Sequence, residues 1–325
     1  FKMEELRYID LFCGIGGFRV AMEEACKENN IIPNCVFSSD IDPACQISYE
    51  ANFGHKPKGD ITKIEETSIP DHDILFAGFP CQPFSIIGQR QGFNDIRGTL
   101  FFDIARILKH KKPKAFILEN VKQLVGHDKG RTLKIILDTL KDLGYNVQYA
   151  VLNALDYGLP QKRERVIIVG HREPIFFSFP APIRPFKPLA EILEKDVDQK
   201  HYASEYITTR RKVKHRSAYK LSIWHENKSG NICSYPYSCA LRAGASYNYL
   251  LVNGERRLTP REMFRLQGFP DTYKIVVNDG QARKQAGNAV PVNLVKAVIL
   301  KLMPFVASSL DMTSILRDYE INLSA

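Results

Sequence analysis

RYIDLFCGIGGF, residues 7–18, decides the fold. Its first six residues, RYIDLF, form a strand pattern that runs straight into Cys13-Gly14-Ile15-Gly16-Gly17, and an amphipathic helix over about Phe18 to Lys27 follows. Glycines at 14, 16 and 17 let the chain turn sharply and approach a ligand with no Cβ in the way. A strand feeding a helix through such a turn is the first half of a βαβ unit.

The alternation continues outward from there. Cys35-Val36-Phe37-Ser38-Ser39 is a second apolar run that ends at Asp40, and a helix spans about Pro43 to Asn52 with proline in its first turn. A strand ending at Gly78, a helix near Thr99 to Lys109, the strand Ala115 to Leu118 and a helix over Arg131 to Leu143 come next. Two more apolar runs, Tyr145 to Leu152 and Val166 to Val169, complete the series. Strand and helix taking turns over about 170 residues predict an α/β fold on a doubly wound, mostly parallel sheet. Near Pro180 the character changes, because FPAPIRPFKP, 179–188, carries four prolines in ten residues. From about 186 to 280 the pattern is one of short strands and turns, with a hairpin at Asn253-Gly254. Helical signal returns over Pro291 to Met303, apolar enough to pack back on the first domain. The chain thus divides into a first domain over 1–185, a smaller, irregular and strand-rich domain over 186–280, and a returning segment over 281–325.

Composition narrows the function classes. A hydrophobic share of 44% and a charged share of 25% are ordinary for a soluble globular chain, and no continuous apolar run reaches the ~20 residues that span a bilayer, so no membrane partner is expected. The start, FKMEELRYIDLF, has no secretory pattern, and Phe1 and Lys2 ahead of Met3 read as cloning or processing scars. Seven cysteines, at 13, 26, 35, 45, 81, 233 and 239, show no CxxC spacing, which argues against a zinc ribbon or a disulfide framework and for a reducing compartment; no metal is expected. The net charge is +9, and the stretch Lys200 to Lys228 supplies +6 of it, with eight Lys or Arg against Glu205 and Glu226. Interleaved with Tyr202, Tyr206, Tyr219 and Trp224, this segment, with Arg210, Arg211 and Lys212 inside it, predicts a face that contacts nucleic-acid phosphate. A merely solvated loop is the alternative.

Three constellations carry chemistry. The glycine cluster, with Asp40 closing the second strand and Asp60 closing a later turn, fits a nucleoside-containing cofactor whose ribose hydroxyls an acid would accept from. No Walker lysine follows, which disfavours a nucleoside triphosphate. In GFPCQPFS, residues 78–85, prolines at 80 and 83 fix φ and end the strand, so Cys81 rides on a stiff turn at a strand's end, as either a reactive thiol or a core cysteine. Glu119 ends the strand AFILENV on the same sheet edge, as a helix cap or as a partner of Cys81 in one crevice. In Gln161-Lys162-Arg163-Glu164-Arg165 the two arginines alternate, and period two sends both to one face, suited to an anion or a carbonyl.

The order DLFCGIGGF, GFPCQPFS, ENV, QKRERV, RLTPREMFRLQGFP, QAGNAV resembles the cytosine-C5 DNA methyltransferases, in pattern closest to the small bacterial restriction–modification enzymes of the HhaI type. The resemblance covers Ile9 to about Met303 except the variable stretch near 186 to 250. It implies a Rossmann-like domain that binds S-adenosylmethionine, released as S-adenosylhomocysteine, and a target-recognition domain over 186–280. Cys81 then corresponds to the nucleophile that adds to C6 of a flipped-out cytosine, Glu119 to the group at N3, Arg165 to the holder of O2 and of Glu119, and Arg163 to a positive neighbour of the thiol. By motif position, cofactor contacts carry over to Phe12, Gly14, Gly17, Asp40, Ile41, Asp60, Pro80, Leu100, Asn288 and Val290. Ile41 departs from the pattern, since relatives often place an aromatic there against the adenine. Residues 82–98 resemble the loop that closes over DNA, so Gln82, Ser85 and Arg97 are implied DNA contacts, with Ile87 where the HhaI-type enzyme has serine.

The expected partner is double-stranded DNA, met by a monomer, with a cognate restriction endonuclease as functional counterpart in the cytoplasm, at the bacterial nucleoid. Specificity is expected within about 186–258, where Arg242 of SYPYSCALRAGASYN either reads guanine or holds a phosphate. Two other readings stand beside this one: a tRNA cytosine-C5 methyltransferase of the Dnmt-two-like group, and a non-catalytic DNA-binding relative. The first is opposed by the absence of a Cys-Phe-Thr tripeptide, the second by intact Cys81, Glu119, Arg163 and Arg165.

Overall fold

Strand and helix alternate through the first half of the chain as β1 (Glu5–Leu11), α1 (Gly17–Glu28), β2 (Ile32–Ser39), α2 (Pro43–Phe53), β3 (Ile74–Gly78), α3 (Leu100–Lys111), β4 (Ala115–Val121), α4 (Arg131–Asp142), β5 (Asn146–Asn153), β6 (Gln161–Lys162) and β7 (Glu164–His171). This computed structural model describes residues 2–80, 99–183 and 185–310. Six of the strands form one sheet in the order β2-β1-β3-β4-β7-β5. The pairs β1–β2, β1–β3 and β3–β4 are parallel, whereas β7 runs antiparallel to both β4 and β5. The mostly parallel sheet is therefore as read, with β7 as the reversed strand.

Both faces of this sheet are covered, which is why β4 reads as an unbroken apolar run: Ala115, Phe116, Ile117 and Leu118 are each 0% exposed. On one face lie α3 and α4, whose Ile104, Leu108, Ile136 and Leu140 recur at helical spacing and meet Leu75, Phe116 and Ile168 from the sheet. On the other lie α1 and the C-terminal helices, with Phe18, Ala21 and Ala25 against Val295, Val298 and Leu302.

Beyond the proline-rich connection come α5 (Leu189–Ile192), α6 (Glu205–Lys214), β8 (Ile223–Glu226), β9 (Ile232–Tyr235), β10 (Ser238–Cys239), β11 (Leu250–Val252), α7 (Pro260–Leu266), α8 (Asp279–Asn288) and α9 (Val292–Leu302). A three-stranded antiparallel sheet, β11-β8-β9, forms the strand-rich part, and β10 pairs instead with β6. The hairpin expected at Asn253-Gly254 is present, with both residues at positive φ and Val252 bridging Arg256. Two helices in this region differ from the strand-and-turn reading. In α6, EYITTRRKVK, only Arg211 is buried, so no apolar stripe existed for periodicity to detect; Ser204 starts the helix by accepting from the Ile207 N–H. In α7 the start is encoded by Thr259-Pro260-Arg261-Glu262, a capping box with proline in the first turn, and Glu262 is further held by a two-pronged ion pair with Arg256. The run Asp279–Phe305 is long and apolar enough to cross a membrane by composition. Its apolar side chains lie inside the protein, however: Val292, Leu294, Val295, Val298 and Leu302 are at most 1% exposed.

Candidate active site

The sheet order fixes where a ligand can bind. The chain leaves β1 for β2 on one side and crosses back to β3 on the other, so a crevice opens at the carboxyl ends of β1 and β3. A cleft of about 800 Å³ occupies that position. Phe12 and Gly14, just after β1, line it, as do Asp40 and Ile41 after β2 and Pro80 after β3, together with Asp60, Leu100 and Asn288. Gly17 and Val290 sit in a small adjoining pocket that shares Phe12, Gly14 and Asn288. The ten residues expected at a cofactor thus come together around one crevice.

Local geometry shows why these residue types stand there. Phe12 has φ 53 and Gly14 φ 54, so the chain turns through left-handed conformations directly at the cleft, a strain that a phenylalanine tolerates only when its surroundings enforce it. Asp40 helps enforce it: Oδ2 accepts from the Gly14 N–H at 2.7 Å and Oδ1 from the Asp42 N–H at 2.8 Å. Burial pushes the Asp40 carboxyl up against the pull of those two bonds. Gly17 must be glycine because a Cβ there would lie 2.6 Å from Cγ2 of Val290. Asp60 caps a short turn by accepting from Thr62 N–H and Oγ1, bonds that hold its carboxyl below the usual range. Ile41 is 70% exposed, an apolar side chain held open at the cleft wall.

The catalytic candidates line the same cleft. Glu119 lies in β4, two residues before its end, in register with Gly78 of β3, and Arg165 Nε donates to Glu119 Oε1 at 2.9 Å. Burial holds the Glu119 carboxyl above its ordinary range, outweighing the Arg165 and Arg163 charges. Pro80, the residue before Cys81, is part of the wall; Cys81 itself, with Gln82, Ser85, Ile87 and Arg97, lies outside the described residues.

Arg163 does more structural work than its sequence context showed. It is 1% exposed, and its guanidinium donates to the backbone carbonyls of Leu241 at 2.7 Å, Gly287 at 2.8 Å and Ala289 at 3.0 Å. Burial, then repulsion from Arg165, lowers its affinity for the proton to a pKa of about 9. Its Nε has no hydrogen-bond partner among the described residues. Three buried amides were missed by sequence reasoning although each lies inside a quoted motif. Asn120 donates to the Phe79 carbonyl at 3.1 Å and fixes the end of β3. Gln161 accepts from Leu241 N–H and donates to Leu266 O and to Gln267 Oε1, and Gln267 donates to Ala286 O. No period or charge marks a buried amide, so no local signal in the sequence flagged them.

The DNA-contact candidates separate. Arg242 is exposed and lines the cleft, its N–H donating to the Tyr249 hydroxyl at 3.0 Å. Arg210 and Arg211 both bind Glu226, at 2.8 and 2.7 Å, and Lys212 binds Glu255. Arg211 is only 3% exposed, so its charge is an internal brace of α6 against β8 and offers no free face to phosphate, a correction to the charge-based reading. Arg210 and Lys212 keep exposed surface but share it with an acid.

The family model described as C-5 cytosine-specific DNA methylase matches residues 6–303. The chain is 57% identical over 292 residues to Type II methyltransferase M.NgoBI of Neisseria gonorrhoeae, covering 89% of this chain and 90% of that one. It is 54% identical over 301 residues to Type II methyltransferase M.HaeII of Haemophilus aegyptius, covering 91% and 92%. The solved S. pombe Dnmt2 methyltransferase shares the fold, with a TM-score of 0.70 at 21% identity over 92% of this chain and 98% of that one. The chain therefore belongs to the C-5 cytosine-specific DNA methylases and is a DNA cytosine-C5 methyltransferase.

Proposed function

We propose that this enzyme methylates one cytosine within a specific duplex sequence through a covalent adduct between Cys81 and C6 of a flipped-out base, protecting host DNA from a cognate restriction endonuclease. The observation that carries the reading is the buried Glu119–Arg165 pair lining a nucleoside-sized cleft, beside the strand that leads into Cys81. C5 of cytosine is a weak nucleophile while the ring is conjugated. Attack of the Cys81 thiolate on C6 forms the C–S bond and moves the ring electrons toward N3, where Glu119, with its carboxyl held above the usual range, delivers a proton. Arg165 holds that carboxyl and would donate to O2. C5 becomes an enamine carbon. Once C5 carries the methyl group, loss of the C5 proton to water, departure of the thiolate from C6 with the C–S electron pair, and return of the N3 proton to Glu119 restore the aromatic ring. A free cysteine, with pKa ~8.5, is only partly thiolate at neutral pH, so the Arg163 and Arg165 charges favour the reactive form.

S-adenosylmethionine fits the crevice: Gly14 leaves open space where a Cβ would project, Asp40 and Asp60 offer carboxylate oxygens, and Ile41 gives an apolar wall for a purine. When bound, it supplies a methyl group on a sulfonium, electrophilic toward carbon. Phe12, Gly14, Asp40, Ile41, Asp60, Pro80, Leu100 and Asn288 would hold it. Residues of about 186–280 would read the target, with Arg242 at the seam between them and the cleft.

The test is a duplex carrying 5-fluorocytosine at the target position, incubated with cofactor. Fluorine cannot leave as the C5 proton does, so an adduct that survives denaturation is expected with the native chain and none with Cys81→Ala. A freely turning-over enzyme that never traps the duplex would sink the covalent route.

A further inference from the structure

Outside the cleft, three side chains with metal-binding chemistry meet where the small sheet faces β10. His225 of β8 and Cys233 of β9 are direct cross-strand neighbours, with Sγ 4.0 Å from Nδ1. Cys239 of β10 completes the group, and the ligand atoms of all three lie within 4.8 Å of one another. All three residues are half-buried, so an ion could enter. In a tetrahedral zinc site, with bonds of about 2.0–2.3 Å, neighbouring ligand atoms stand roughly 3.3–3.8 Å apart, so the group needs to close by about 1 Å or less. Spacings of seven and five residues between the ligands match no zinc-ribbon pattern, so no motif marks the group.

We propose that His225, Cys233 and Cys239 bind one divalent cation of the zinc class, with water as fourth ligand. Imidazole plus two thiolates is a donor set that favours zinc over magnesium or calcium. The placement gives the ion a role: β8 and β9 belong to the β11-β8-β9 sheet, whereas β10 is paired with β6, next to Arg163. One cation would therefore staple the recognition sheet to the catalytic domain, three residues before Arg242.

The full-length chain, stripped of metal and kept reduced, is titrated with Co2+ and then Zn2+. One equivalent of Co2+ is expected to give thiolate-to-cobalt charge-transfer absorption that one equivalent of Zn2+ abolishes. Cys233→Ser and Cys239→Ser are expected to lose it, while Cys26→Ala, altered in α1 far from the group, keeps it. A cooperative thermal transition in each variant shows that loss of the band is not loss of the fold. His225→Gln, the milder change, is expected to weaken Co2+ binding at least tenfold. Absence of the band in the native chain, its survival in both serine variants, or unchanged affinity in His225→Gln overturns the site.

Discussion

Arg165 and Glu119 sit on adjacent antiparallel strands, β7 and β4, and meet side chain to side chain at 2.9 Å inside the cleft. The pair is buried, with side chains 14% and 11% exposed, yet burial still holds the Glu119 carboxyl high. An acid in this state can give up a proton to a ring nitrogen and be held in place while it does so.

Glu119→Gln keeps the shape but removes the proton donor. A fall in kcat of about 10²- to 10⁴-fold is expected, with cofactor affinity measured by calorimetry almost unchanged. Arg165→Lys should lower kcat too, because an ammonium cannot repeat the guanidinium's planar hold. Turnover at the native rate in Glu119→Gln would refute the role assigned to that carboxyl.

Ile41 lies 70% exposed on the cleft wall. If it flanks the adenine, Ile41→Trp adds a stacking partner worth about 0.5–1.5 kcal/mol, a several-fold drop in the cofactor's Kd. Calorimetry with S-adenosylhomocysteine checks this, and a weaker Kd would place the adenine elsewhere.

Gly287, one residue before the end of α8, packs against the backbone of Arg242 and Ala243, and a Cβ on it would stand 2.3 Å from Ala243 N. The obstacle is backbone and cannot swing aside. Gly287→Ala is expected to cost about 1–3 kcal/mol of stability and to displace residues 241–243, lowering kcat/KM on DNA more than it changes cofactor binding. Urea unfolding and steady-state kinetics read the two effects separately.

Asp10 is buried in β1, accepts from the Tyr49 hydroxyl at 3.1 Å, and is pushed up to about 8, first by burial. Its folded-state value lies above the unfolded one, so the folded chain binds the extra proton: stability is full below about pH 4 and lost as pH rises toward about 8. Asp10→Asn cannot ionise. Its unfolding free energy relative to the native chain, measured by urea titration, is expected to climb between pH 5 and 8, by at most about 1.4 kcal/mol per pH unit. A difference that stays flat across that range would show that Asp10 does not titrate there.

How much was legible follows from the kind of interaction each residue makes. The strand–turn–helix at 7–18 and the alternation behind it are local patterns, so period and glycine placement alone predict a doubly wound sheet, and sheet topology then forces Phe12, Asp40 and Pro80 to one crevice. Glu119 was legible for the same reason, as an acid at the end of an apolar strand. What the chain's own letters could not decide was which charges are free. Arg211 and Arg242 look alike in sequence, but one is buried on Glu226 and the other stands open at the cleft, because the pairing of a cation depends on what folds beside it from fifteen or more residues away. The same holds for Arg163, turned into a tie between β7, Leu241 and Gly287, and for His225, Cys233 and Cys239, which only strand pairing brings within reach of one another. Local periodicity fixes the frame; long-range packing alone decides which polar groups are braces and which remain available for chemistry.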